Sequence, residues 1–103
     1  MNIPEFGFND KTLELIINLF GNSEQIEEVR IFGSRALGTY KPNSDIDLVF
    51  YGNFSDKFKS RLAGDLDELP LPYTFDVLLY DEITNDNLKK HIHDYGKILY
   101  RRK

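Results

Sequence analysis

Three short stretches of the sequence carry groups suited to chemistry: Gly33-Ser34, Asp45-Ile46-Asp47 and Asp76. Ten residues separate the Gly-Ser pair from the first aspartate. Three carboxylates reaching one point repel one another, and each is harder to ionise until a cation neutralises the cluster. Their oxygens are hard ligands, which suits Mg²⁺ bound through a few carboxylates with phosphate oxygens and water completing its shell. Gly33 lets backbone approach a phosphate closely. Amides at the start of a following helical turn favour an anion, and the Ser34 hydroxyl donates one more hydrogen bond. Arg35 adds a positive charge that would serve either a phosphate or a salt bridge to one of the acids. The set is therefore read as a site that holds a nucleoside triphosphate by its tail at Gly33, Ser34 and Arg35. Asp45, Asp47 and Asp76 would be both catalytic and metal-ligating. Two Mg²⁺ ions about 3.5–4 Å apart would activate an attacking hydroxyl and stabilise departing pyrophosphate. With average residue usage, Gly-Ser-x10-Asp-x-Asp arises by chance in on the order of one chain of this length in a thousand, so a structural turn alone is a poor explanation.

Such residues need elements to aim them. Glu28 to Phe32 alternates as a strand with Val29 and Ile31 on one face, and Gly33-Ser34 breaks it. Arg35 to Leu37 predicts a short helical turn before Gly38, and Lys41-Pro42-Asn43-Ser44 a loop. Asp45 to Tyr51 reads as a second strand, which places Asp45 and Asp47 on one face with Cα atoms about 7 Å apart. Asp76 sits in a third apolar strand, Tyr73 to Tyr80, with Phe75 and Val77 on the opposite face. Around these strands the pattern predicts three longer helices. One is capped by Asn9 or Asp10, carries Leu13, Ile16, Ile17 and Phe20, and is closed by Gly21-Asn22. The next is capped by Ser55, with Phe58, Leu62, Leu66 and Leu69 inward before Pro70 and Pro72. The last is opened by Asp81 or Thr84, with Leu88, Ile92 and Tyr95 inward and Gly96 as its cap. Lys97 to Tyr100 predicts a short edge strand. His91 and His93, two apart on that helix, face different ways and are expected in solvent. Arg101-Arg102-Lys103 reads as a solvated tail. Tyr40, Lys41 and Tyr51 stand near the motif as pocket-shaping residues. Strands alternating with helices imply an α/β (α+β) fold, a small mixed sheet with helices packed mainly on one side.

The bulk numbers narrow the function. The 103 residues, 41% hydrophobic, make one domain, residues 1–103, with little beyond a catalytic core. A sizeable acceptor would need a second protein to hold it. The net charge of −4 argues against direct nucleic-acid binding, yet a bound cation inverts the local field for a nucleotide. Without cysteine there is no disulfide or thiolate metal site. The amino terminus lacks a signal-peptide pattern and no apolar run is long enough for a membrane, so the expected location is the cytoplasm.

Gly33-Ser34-Arg35-Ala36-Leu37-Gly38 followed by Ser44-Asp45-Ile46-Asp47-Leu48 resembles the motif of the minimal nucleotidyltransferase (MNT) domain, within the polymerase-beta-like nucleotidyltransferase superfamily. Phe75-Asp76-Val77-Leu78 is similar to that family's third acidic strand, and Tyr95 to Tyr100 to its usual close. Leu37 stands where the family often carries a second basic residue. The resemblance, spanning about Val29 to Tyr100, implies the polymerase-beta-like fold and transfer of a nucleotide with ATP as substrate. It also implies a partner: MNT chains of this size are commonly encoded beside a helical HEPN RNase toxin and act as its antitoxin by placing AMP on a toxin tyrosine. Two other readings stay open, a non-catalytic antitoxin that binds its partner sterically and a catalytic subunit for a small antibiotic-type acceptor.

Overall fold

The computed structural model describes residues 5–41 and 43–102. Pro42 and Lys103, part of the loop and tail expectations, lie outside the described residues. The elements run α1 (Asp10–Gly21), β1 (Ile26–Phe32), α2 (Ser34–Leu37), β2 (Ile46–Gly52), α3 (Phe58–Asp67), β3 (Phe75–Leu79), α4 (Asp86–Tyr95) and β4 (Lys97–Arg101). The four strands form one mixed sheet in the order β3-β2-β1-β4. β1 is antiparallel to both β2 and β4, whereas β2 and β3 run parallel with α3 as the crossover. Parallel neighbours need such a connection because no tight turn can join them.

Residue alternation along the strands sorts the core into two layers. Val29, Ile31, Ile46, Leu48, Phe50 and Val77 point to the side covered by α1 and α3, and meet Ile16, Phe20, Leu62 and Leu66 there. Phe20 and Phe50 pack edge to face with ring centroids 5.3 Å apart, a geometry favoured by the ring quadrupoles. The opposite face is thinner: Phe32, Val49, Ile83 and Ile92 form a small cluster under α4. The expected arrangement holds, with two helices on the main layer and α4 alone behind the sheet. No helix among the described residues is long and apolar enough to cross a membrane.

Several boundaries differ from the sequence expectation, each for a local reason. Asn9 caps α1 by accepting from the Thr12 amide at 2.8 Å, as its type predicts. Ser55 does not cap α3; its backbone carbonyl accepts from Phe58 and its amide donates to Gln25 Oε1, so the chain turns once before the helix begins. α4 opens neither at Asp81 nor at Thr84 but at Asn85, whose Oδ1 accepts from Asn87 and Leu88. Tyr95 is 53% exposed rather than inward, because the apolar stripe of α4 narrows to Ile92 and the half-buried Leu88. Arg101 and Arg102 are solvent-exposed as expected, yet both are tied down. Arg101 pairs with Glu28 at 2.9 Å, and Arg102 reaches the carbonyls of Ile26 and Ser23.

Arg35 is the largest departure. It is 3% exposed. Its guanidinium donates to the Phe6 carbonyl and the Ser44 carbonyl, both at 3.0 Å. The rings of Phe8, Tyr40 and Tyr73 surround it at 5.0–5.6 Å, where cation–π attraction offsets part of its desolvation. The side chain thereby ties the amino-terminal segment to α2 and to the loop before β2. Replacing it by a chain of similar length without the fork, Arg35→Met, removes charged donors from two carbonyls. We expect a loss of roughly 3 kcal/mol of stability, read as a lower urea midpoint with an unchanged slope.

Candidate active site

β1 ends at Phe32, and Gly33 then turns the chain sharply with φ 73° and ψ −152°. That region of backbone space is essentially open only to glycine. A second reason for glycine is spatial: a Cβ here would stand 2.3 Å from Asp47 Oδ2. Ser34 opens α2, whose four residues close at Gly38 in the left-handed conformation. Ser34 is half-buried and its carbonyl accepts from Thr39 at 3.0 Å.

The acids come from two strands. β2 pairs with β3 so that Asp47 lies directly opposite Asp76, while Phe32 of β1 lies opposite Asp47 on the other side. Neighbouring strands run about 4.8 Å apart, and in-register residues share a face, so the two carboxylates project side by side from the α4 side of the sheet. Asp47 is half-buried and Asp76 is exposed on an edge strand. Asp45 sits one residue before β2, exposed, rather than within the strand as expected. Among the described residues, no group of three acidic or histidine side chains converges as a metal shell. One of the three acids, Asp45, lies outside the regular strand.

Their mutual influence is nonetheless clear at Asp47. Burial pushes its carboxyl above the ordinary aspartate value of 3.8, the charges of Asp76 and Asp45 push it further, and His91 pulls it back. The donor set is all hard oxygen, concentrated beside a glycine cradle that a Cβ would fill. It therefore fits a divalent cation with phosphate ligands.

His91 corrects another expectation. It is half-buried, not in solvent. Its Nε2 accepts a hydrogen bond from the Gly33 amide at 3.2 Å, and its ring stands nearly perpendicular to Phe32 at 6.1 Å. The available clue was its position three residues after Leu88 and next to Ile92, on the flank of the apolar stripe. His93 is exposed as expected. Arg35, expected at the phosphates or in a salt bridge to one of the acids, is engaged in the interior as described, donating to the Phe6 and Ser44 carbonyls. Tyr40 packs on Arg35 and Lys41 is exposed. Tyr51 lies four residues along β2 from Asp47, stacked on Tyr80 at 4.7 Å, about 13 Å from the acids.

An aspartate whose folded pKa is raised opposes folding once ionised. Stability is full below the unfolded value and falls as pH rises through the folded one. Asp47→Asn should therefore raise the Tm of the ligand-free protein at pH 7. The gain should shrink as pH drops toward 3.8 and vanish below it, as thermal denaturation across that range would report.

Residues 14–103 match the family model described as "Polymerase beta, Nucleotidyltransferase", a wider span than the motif resemblance covered. A comparison with curated proteins finds no match. Among solved structures, the fold resembles a chain of a toxin-antitoxin determined with AMP-PNP. The TM-score is 0.71 at 24% identity, over 88% of this chain and 74% of that one. It also resembles a chain of the toxin-antitoxin MntA-HepT, with TM-score 0.59 and 20% identity over 91% and 74% of the two chains. A third likeness is to a complex of a tri-AMPylated Shewanella oneidensis HEPN toxin with MNT antitoxin, with TM-score 0.58 and 19% identity over 89% and 71%. These likenesses show a shared fold. A family model that spans most of the chain, laid over a sheet that sets two aspartates side by side next to a glycine turn, leads to one conclusion: this chain belongs to the polymerase beta nucleotidyltransferase family.

Proposed function

We propose that this chain is an Mg²⁺-dependent nucleotidyltransferase that moves AMP from ATP onto a hydroxyl of a partner protein. The acceptor we propose is a tyrosine of a HEPN-family toxin, which the chain thereby neutralises as its antitoxin. The observation that carries the reading is the in-register pair Asp47 and Asp76 beside the Gly33-Ser34 turn. Family membership supports the reaction class. The likeness to structures containing AMP-PNP in one case and a tri-AMPylated HEPN toxin in another supports the nucleotide and the acceptor.

In this mechanism Ser34 holds the triphosphate tail through its backbone amide and hydroxyl, while Gly33, without a side chain, lets the backbone come close to the phosphates. The acceptor oxygen attacks the α-phosphorus from the side opposite the leaving group. The new P–O bond forms as the α–β bridge breaks, and pyrophosphate departs. Asp45 and Asp47 would hold the metal, with Asp76 helping at the attacking hydroxyl. Mg²⁺ would supply Lewis-acid charge that favours hydroxyl deprotonation and offsets the negative charge on the phosphates. Asp76, exposed on its edge strand, would favour loss of the hydroxyl proton. The rest of the protein's contribution is positioning and electrostatic preorganisation.

The test combines the chain with labelled ATP, Mg²⁺ and its HEPN-family partner. Label should appear on the partner, disappear with excess EDTA, and fall at least about 10²-fold in the double variant Asp45→Asn/Asp47→Asn. No transfer by the wild-type chain, or full neutralisation of the toxin by the double variant at matched concentration, would replace this reading with steric binding.

A further inference from the structure

The Gly33 turn has a weakness that its own residue type creates. A residue with no side chain has wide backbone freedom, so its peptide plane must be held by neighbours. On one side stands the Asp47 carboxylate, close enough that a Cβ would collide with it. On the other stands His91, contributed by α4 from 58 residues away. The Gly33 amide donates to Nε2 at 3.2 Å. An Nε2 that accepts leaves the ring proton on Nδ1. The ring itself is fixed by the edge-on contact with Phe32 at 6.1 Å and by Tyr95 at 5.4 Å. The helix that carries it is anchored by Ile92, which is fully buried.

We infer that His91 is a positioning residue for the nucleotide: by accepting from the Gly33 amide it sets the peptide orientation that presents Ser34 to the triphosphate tail. This rests on the proposed nucleotidyl transfer for its substrate, but the structural half of it concerns the unliganded protein alone. The helix α4 thus does more than cover the back of the sheet. It holds the phosphate-binding turn from outside, at the Gly33 backbone amide.

Three variants separate this role from packing. His91→Phe keeps a ring against Phe32 and removes the acceptor. His91→Leu also removes the acceptor, with a smaller, helix-favouring side chain should the Phe variant fold poorly. His91→Gln places an amide oxygen near the position of Nε2. Amide hydrogen exchange by NMR on the unliganded, ¹⁵N-labelled protein reads the Gly33 proton directly. It should be protected in wild type and His91→Gln, and exchange about fivefold to tenfold faster in the Phe and Leu variants. In the transfer assay the same two variants should raise KM for ATP by about the same factor with kcat within about twofold, and His91→Gln should restore it. Unchanged Gly33 protection in His91→Phe or His91→Leu overturns the inference, whatever the activity. So does lost protection with an unchanged KM. If the wild-type chain transfers nothing, the proposed function and the nucleotide half of this inference fall together, while the exchange measurement still decides whether His91 holds the turn.

Discussion

The parallel pairing of β2 with β3 is the constraint on which the site depends. It sets Asp47 opposite Asp76, and no tight turn can produce it, so the chain builds α3 to return the strand. That crossover also supplies part of the main hydrophobic layer, with Leu62 and Leu66 in one cluster with Phe50 and Val77. Core formation and carboxylate placement are thus one event. The cost is electrostatic: Asp47 is held half-buried beside like charges, and its carboxyl resists ionisation. A fold selected for stability alone would put an asparagine or an apolar residue there.

Around this pair the molecule divides its labour between the two faces of the sheet. The face under α1 and α3 carries the large apolar contacts. The face under α4 carries the acids, the glycine turn and only a small apolar cluster of Phe32, Val49, Ile83 and Ile92. A thin layer leaves Asp76 open to solvent and Asp47 partly so. Tyr95, whose ring lies 5.4 Å from His91, and Ile98 on β4 remain about half exposed.

Much of this was legible in the sequence because the signals are local. The Gly-Ser break, the Asp-x-Asp alternation and an acid within an apolar strand are each read from a few neighbouring residues, as are the stripes of α1 and α3. The mixed sheet follows from strands alternating with helices. What escaped was long-range. His91 touches Gly33 across 58 residues, and nothing adjacent to either announces it. Arg35 sits within the motif, so a charge there reads as a phosphate contact, yet its partners are the Phe6 and Ser44 carbonyls. The alternation Asp45-Ile46-Asp47-Leu48 extends the strand reading to Asp45, whereas β2 begins at Ile46, whose amide pairs with the Thr74 carbonyl.

The buried guanidinium carries one more consequence. Similarity to the family begins at residue 14, but Arg35 binds the backbone at Phe6 and stacks on Phe8. The same guanidinium grips Ser44, the residue before Asp45. The first segment of the chain is therefore wired to the loop that delivers a carboxylate. A boundary drawn where homology starts would cut through a mechanical unit, and a shortened chain would keep every motif residue while loosening the loop that carries Asp45.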